Sequence, residues 1–408
     1  MLPAHRLPPS PGASFSMLEG IRVLDLTTSI AGPYATLLLG DLGAEVLKVE
    51  RPGSGDDSRA WGPPFLDGES LWFLSVNRNK RSITLDYGAE AGRRLLRALI
   101  ERVDVLVVNQ MASVQDKLGV SWDAVSMYRP NLIHVSVTGF GSTGARRDLP
   151  CYDLVAEGYS GVMDLTGELP GAPQKVGAPA ADLVAGMDAA LATVAAIFDR
   201  QRTGRGHRID ISMVESMTRF MSPRLVPYLG SGEVARRSGA KDSVIAVYQV
   251  FDAADLPLTL GLGNDTIWKR FWAAVGHPER GEDPRHRTNV DRRAARAEIV
   301  AEIQAILSTR PRAEWLRIFA EARVPAGPIN RLDEVAADPA LAERGFLFSL
   351  PGREHPIPQV GLGIRVDGRA AGANLPPPRL GEHTAQVLRE WAGCDDQQLA
   401  ALRADGII

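Results

Sequence analysis

Short apolar runs alternating with helical segments constrain this chain more than any other feature. "IRVLDL" (21–26) has the length of a strand, and "GPYATLLLGDLG" follows it, with Gly32-Pro33 placed to open a helix. "AEVLKVE" (44–50) is a second strand, so the first fifty residues make one strand–helix–strand unit. The pattern recurs in "RSITLDY" (81–87), a helix from about Glu90 to Arg102, "DVLVVN" (104–109) and "NLIHVSVTGF" (131–140). Apolar strands interleaved with amphipathic helices predict an α/β fold with a parallel sheet. Its ligand belongs at the carboxyl ends of the strands. A long helix is expected from Asp182 to about Arg202, stopped by "TGRG", and then a further strand and helix start in "HRIDISMVES" (207–216).

Beyond residue 224 the texture changes. "IAVYQVF" and "LPLTLGLG" read as a hairpin, and 292–310 as one helix. The expected organisation is a disordered leader over 1–16, a large α/β domain over 17–224, a small α+β domain over 225–330, and a tail over 331–408. The tail ends in a helix able to return to the large domain. At 408 residues the chain exceeds one ordinary core, which supports two domains.

Charge and cysteine usage narrow the function. The formal net charge is −3, which gives no electrostatic case for nucleic acid or a membrane surface. No uninterrupted apolar run approaches the ~18 residues of a membrane span. The two cysteines, Cys151 and Cys394, form no paired motif, which fits a reducing compartment. The seven histidines show no i, i+4 pair and no acid at ligand spacing, so no metal site is expected. The first βα turn, "TTSIAGP", holds one glycine, too few for a nicotinamide or flavin pyrophosphate loop. Neither a G-x-S-x-G motif nor a Walker-type loop is present.

Two constellations remain. Arg78, Lys80 and Arg81 in "NRNKRS" could, with Arg51, bind the phosphates of a large cofactor, or form a solvated turn. Asp182 in "VGAPAADLVAGMDAAL" stands at the start of the long helix. It reads as an N-cap. It also reads as a nucleophile, because an ionised carboxylate can attack a thioester. The two roles are compatible.

Longer blocks give this chain a family resemblance. "AGPYATLLLGDLGAEVLKVERPGSGDDSRAWGPPF" (31–65), "SVNRNKRSITLD" (75–86), "VTGFGSTG" (137–144), "YDLVAEGYSGVMDLTG" (152–167), "RTGRGHRIDISMVES" (202–216), "VPAGPIN" (324–330) and "LGEHT" (380–384) resemble the class III CoA-transferases, the formyl-CoA transferase and carnitine CoA-transferase group. The look is closest to the succinyl-CoA:dicarboxylate branch that includes glutarate-using members. The resemblance implies a Rossmann-like large domain with a parallel sheet built from both chain ends, a smaller α+β domain and an interlocked homodimer. It implies that Asp182 forms an anhydride with the acyl group and then an aspartyl-CoA thioester, with coenzyme A entering as the acyl-CoA substrate. Carried over position by position, the backbone at Ser29, Ile30 and Ala31, and the side chains Arg51, Asn109, Gln110 and Lys117, match the CoA site. Gln110 stands where the family has an aromatic residue. The cations Arg78, Lys80 and Arg81 match a further family motif, and Gly261 and Gly263 match a mobile loop. A dicarboxylate needs a cation for its far carboxylate; Arg146 and Arg147 are candidates, or an exposed loop pair. The cytoplasm is the expected compartment, or the mitochondrial matrix in a eukaryote. The alternative on the same fold is a 2-methylacyl-CoA racemase. That family uses a His-Asp pair where this chain has Tyr152-Asp153, and tyrosine is a poor base near neutral pH.

Overall fold

The computed structural model describes residues 2–408, which divide into two compact units. The first comprises residues 2–161, Val176–Ser222 and Asp338–Ile408; the second comprises Val162–Lys175 and Pro223–Ala337.

The first unit is built on six parallel strands: β1 (Arg22–Asp25), β2 (Glu45–Glu50), β3 (Lys80–Thr84), β4 (Val105–Val108), β5 (Ile133–Thr138) and β6 (His207–Ser212). Their order is β3-β2-β1-β4-β5-β6, every neighbouring pair parallel. This doubly wound order reverses between β1 and β4, and sheets of this kind bind ligands at that reversal, beyond the carboxyl ends of the strands. The central strands β1, β4 and β5 are buried along nearly all of their length, as strands covered on both faces are, whereas β6 at the sheet edge is half-exposed. One face, with Leu24, Leu47, Ile83 and Leu106, packs against Leu96 and Leu99 of α2 (Glu90–Ile100) and against Val387 and Trp391 of the C-terminal helix Thr384–Ala392. All six strands come from residues 22–212, and the far end of the chain contributes this covering helix.

Three more helices shape the site: α1 (Ala31–Asp41), α3 (Asp153–Ser160) and α4 (Ala180–Thr203). Helix α4 is long and apolar enough to cross a membrane by length and composition. Asp182 and Asp188 interrupt its apolar run, so the sequence shows no unbroken span. In the fold it packs against α1, β5 and β6. Gly186 permits the closest approach: a Cβ there would lie 2.7 Å from the Ala31 carbonyl oxygen.

The leader differs from the disordered segment expected. Ala4 and Phe15 are buried, Phe15 N–H donates to the Asp41 carbonyl, and Ser349 N–H donates to the Pro8 carbonyl. Prolines left the segment without helical or strand periodicity, yet its backbone pairs with residues 349 and 372, far away in sequence.

The second unit holds an antiparallel sheet of β7 (Tyr248–Asp252), β8 (Pro257–Gly261) and β9 (Ala326–Pro328), ordered β9-β8-β7. Its core includes Phe251, Leu258, Trp268, Phe271, Ile303 and Phe319. The single helix expected over 292–310 is two, Asn289–Ala294 and Arg296–Leu307. The excursion Val162–Lys175 belongs here: Gly239 N–H donates to the Gly167 carbonyl, and Arg237 pairs with Asp164.

Candidate active site

Beyond the carboxyl ends of β1 and β4, two turns clamp each other. Thr28, just past β1, donates its N–H to Asn109 Oδ1 (3.1 Å), and Asn109 Nδ2 donates back to the Thr28 carbonyl (2.8 Å). Gln110 Nε2 donates to the Leu26 carbonyl (2.6 Å). Both amides that sequence assigned to CoA therefore hold the β1 turn in place.

Ser29 follows at φ 69°, the left-handed region that a non-glycine residue occupies at a cost. Asp56 holds it there, accepting the Ser29 N–H at 3.0 Å. The Asp56 carboxylate is buried, pairs with Lys48 Nζ at 2.8 Å, and is held below the usual aspartate range although burial alone would raise it. Lys48 also donates to the Thr27 carbonyl at 2.8 Å. Asp56 and Lys48 are the support that sequence reading missed. The detectable signal was the D-D-S pattern of a capped turn, since Asp56 accepts the Ser58 N–H. Beyond Ser29, the N–H groups of Ala31 and Gly32 open α1 and have no acceptor among the described residues. Such N–H groups suit developing negative charge.

The cationic cluster is not where phosphates could reach it. Residues 78–81 enter β3 at its amino end, opposite the β1 turn. Arg78 is buried, with bonds to Asp41 (2.6 Å) and Gln359 (3.0 Å). Lys80 is fully buried against Asp25 (3.2 Å), the Pro33 carbonyl and Asn77, and burial pushes its ammonium down to about 8. Arg81 pairs with Glu45 and Glu390. These ion pairs are structural, because a buried charge must be partnered. Two cations of the expected CoA set remain at the surface. Arg51, after β2, is half-exposed and pairs with Asp57; Lys117 is exposed and forms no ion pair among the described residues. Of the two arginines considered for a second carboxylate, Arg147 pairs with Asp148 (3.1 Å) and Arg146 lies 5.0 Å over the Tyr159 ring. Gly261 and Gly263 lie in the second unit, at and after the end of β8, where a Cβ on Gly261 would meet Tyr248.

Asp182 lies in the first turn of α4. Helices α1 and α4 both descend from the carboxyl side of the sheet, the first after β1 and the second before β6. Gly186, one turn beyond Asp182, touches Ala31 and Ala35 of α1. Asp182 therefore sits at the same end of the sheet as the β1 turn, on the side of α1. It is not the cap that sequence suggested: the N-cap position is Pro179, and no hydrogen bond reaches the Asp182 carboxylate among the described residues. The cap comes from α3, where Asp153 Oδ1 accepts the N–H of Ala181 (2.8 Å) and of Asp182 (3.3 Å). Burial, helped by the neighbouring Asp153 charge, pushes the Asp182 carboxyl up to about 7.

A carboxylate that is unpaired, largely desolvated and shifted toward neutral pH has the chemistry to attack an activated acyl group. The description "CoA-transferase family III" matches residues 18–384. The chain belongs to that family. A mouse succinyl-CoA:glutarate CoA-transferase is 36% identical over 405 residues, covering 98% of this chain and 92% of that protein. The succinate–glutarate CoA-transferase of Agrobacterium fabrum is 37% identical, covering 91% and 95%. A crystal structure of a CaiB/BaiF family protein from Brucella suis superposes with a TM-score of 0.80 at 36% identity, covering 92% of this chain and 99% of that one. This family III chain is an enzyme with CoA-transferase activity, and acyl-CoA is its substrate.

One cluster departs from the sequence expectation on metals. The ligand atoms of Asp67, Glu354 and His355 lie within 4.8 Å of one another. Sequence spacing could not show this, because Asp67 and His355 are 288 residues apart. Hydrogen bonds account for the arrangement: Asp67 accepts from His355 Nδ1 (2.6 Å) and from the N–H groups of Glu354 and His355.

Proposed function

We propose that this enzyme moves CoA from succinyl-CoA to a dicarboxylic acid of the glutarate type, with Asp182 as the covalent nucleophile. The observation that carries the reading is the Asp182 carboxylate, half-buried, unpaired and shifted toward neutral pH at the carboxyl end of the sheet. The names of the mouse and Agrobacterium relatives support the acid pair. An Asp182 oxygen adds to the thioester carbonyl, CoA leaves as thiolate, and a mixed anhydride remains. The thiolate attacks the Asp182 side of the anhydride, releasing succinate and giving the aspartyl-CoA thioester. The acceptor carboxylate displaces the thiolate through a second anhydride, and the thiolate then takes the acceptor's acyl group. Each oxyanion can lean on backbone N–H groups such as those of Ala31 and Gly32. These steps use only electron pairs of the carboxylates and the thiolate, so they call for no metal, nicotinamide or flavin. Arg51 and Lys117 are the surface cations left for the phosphates of CoA, and the turn at Ser29–Ala31 is the backbone against which it lies.

The working form is a homodimer. Met187, Leu191 and Phe198 leave an apolar stripe exposed on α4, and Phe220 adds to it from α5 (Met213–Phe220). A stripe of this kind needs a partner. The free thiols Cys151 and Cys394 fit a reducing compartment, the cytoplasm or the mitochondrial matrix. The racemase alternative gains no support, since Tyr152 stands where that family has its histidine base.

Incubation with succinyl-CoA followed by a hydroxylamine quench tests the reading. A hydroxamate mapped to Asp182 supports it. Unmodified Asp182 in protein shown to bind CoA refutes it.

A further inference from the structure

We infer that Asp153 is a positioning residue that keeps Asp182 reactive, by taking the amino terminus of α4 for itself and leaving the nucleophile an uncompensated charge. The inference rests on Asp182 being the nucleophile.

A carboxylate in the first turn of a helix is ordinarily stabilised by that turn's free N–H groups and by the helix dipole. Here those groups are diverted. Asp153 Oδ1 accepts from both Ala181 and Asp182, at 2.8 and 3.3 Å. One turn along α3, Glu157 Oε2 accepts the Val176 N–H at 3.0 Å, so α3 secures both the approach to α4 and its first turn with carboxylates. The groups facing Asp182 offer no compensation. Asp153 is an acid, and its charge is the one that acts on Asp182. Cys151, in the segment before α3, is a thiol pushed up to about 11 by its own burial and by the Asp182 charge. Tyr34 of α1 packs at Gly186 and is neutral at physiological pH, its hydroxyl held above the usual tyrosine range by burial. Arg219 of α5 is spent on Asp188. No cation pairs with Asp182 among the described residues.

The consequence is chemical. Ionised Asp182 is held beside a like charge with neither a donor nor much water to offset it, which raises its basicity and with it its nucleophilicity. When its oxygen bonds to the acyl carbon, the thioester C–S bond breaks and the negative charge leaves on the CoA thiolate. The repulsion with Asp153 then disappears. Asp153 therefore favours the acylated enzyme over the free one, while its hydrogen bonds fix the turn that carries the nucleophile.

Asp153→Asn tests this directly. The amide oxygen can still accept the Ala181 N–H, but the charge is gone. The rate of hydroxamate formation at Asp182 is measured with succinyl-CoA from pH 5 to 9 in the full chain. The wild-type rate is expected to rise with ionisation of Asp182. In Asp153→Asn the midpoint falls by at least one pH unit, and the plateau rate drops at least tenfold. Asp153→Ser, a second neutral cap, is expected to do the same, which guards against a defect peculiar to the amide. A midpoint unmoved in both variants, with only a uniform loss of rate, makes Asp153 a plain cap and overturns the inference alone. A wild-type chain that binds succinyl-CoA but yields no hydroxamate at any pH overturns the nucleophile reading, and the inference with it.

Discussion

Asp182→Asn converts the strain at the nucleophile into a stability measurement that needs no substrate. The asparagine is nearly isosteric and does not titrate. In the folded wild type the carboxyl is pushed up to about 7 by burial and by Asp153, whereas unfolding returns it to about 3.9. Folding therefore opposes ionisation: wild-type stability is fully present below about pH 4, declines as pH rises, and levels off above about pH 7. At about 1.4 kcal/mol per pH unit the ceiling is ~4 kcal/mol, and residual water around a partly exposed group reduces this to roughly 2 kcal/mol. The variant should be more stable relative to wild type at pH 8 than at pH 4.5 by about that amount, a difference of a few degrees in Tm. Matched thermal unfolding of the two proteins across pH 4–8 reads it, since groups common to both cancel. A Tm difference that stays constant with pH, or that favours wild type increasingly toward pH 8, refutes the picture of a desolvated, uncompensated carboxylate. The same variant should form no hydroxamate.

Other expectations test the scaffold around the site. Gly186→Ala would ordinarily gain about 1 kcal/mol of helix propensity. Its Cβ would press on the Ala31 carbonyl at 2.7 Å, so a net loss of about 1–2 kcal/mol is expected, and a raised Tm refutes it. Asp56→Asn weakens the charged acceptor of Ser29 N–H and the partner of Lys48; KM for succinyl-CoA should rise by roughly tenfold, and an unchanged KM in folded protein removes Asp56 from the support of the turn. Leu191→Asp places a charge in the exposed stripe of α4 and should shift the proposed dimer to monomer in size-exclusion chromatography; unchanged elution removes the stripe from the proposed subunit contact.

The central strands β1, β4 and β5 were legible because each is a short, mostly apolar run buried along its length, and such a run looks the same before and after folding. Helix α4 was legible too, since its end at Gly204 adopts the left-handed cap that the glycine signals. The cations were not. Arg78 and Lys80 sit in a polar segment that reads as surface, yet Asp41 and Asp25, tens of residues away, draw them into the core. Capping failed for the same reason: Asp182 has the right type and place for a cap, but the acceptor used comes from 29 residues earlier. The leader was missed because its backbone pairs with the far end of the chain.

From sequence alone came the alternation that makes a parallel sheet, the position of a carboxylate at the head of the long helix, and the blocks that relate the chain to its family. These are local properties: periodicity, turn residues and order along the chain. Only the tertiary structure decided which carboxylate caps the helix and which stays bare, which cations are buried, and that the β1 turn is held by Asp56 and Asn109. Those outcomes depend on desolvation and on partners brought together by packing, and the energy of a charge is set by its neighbours in space.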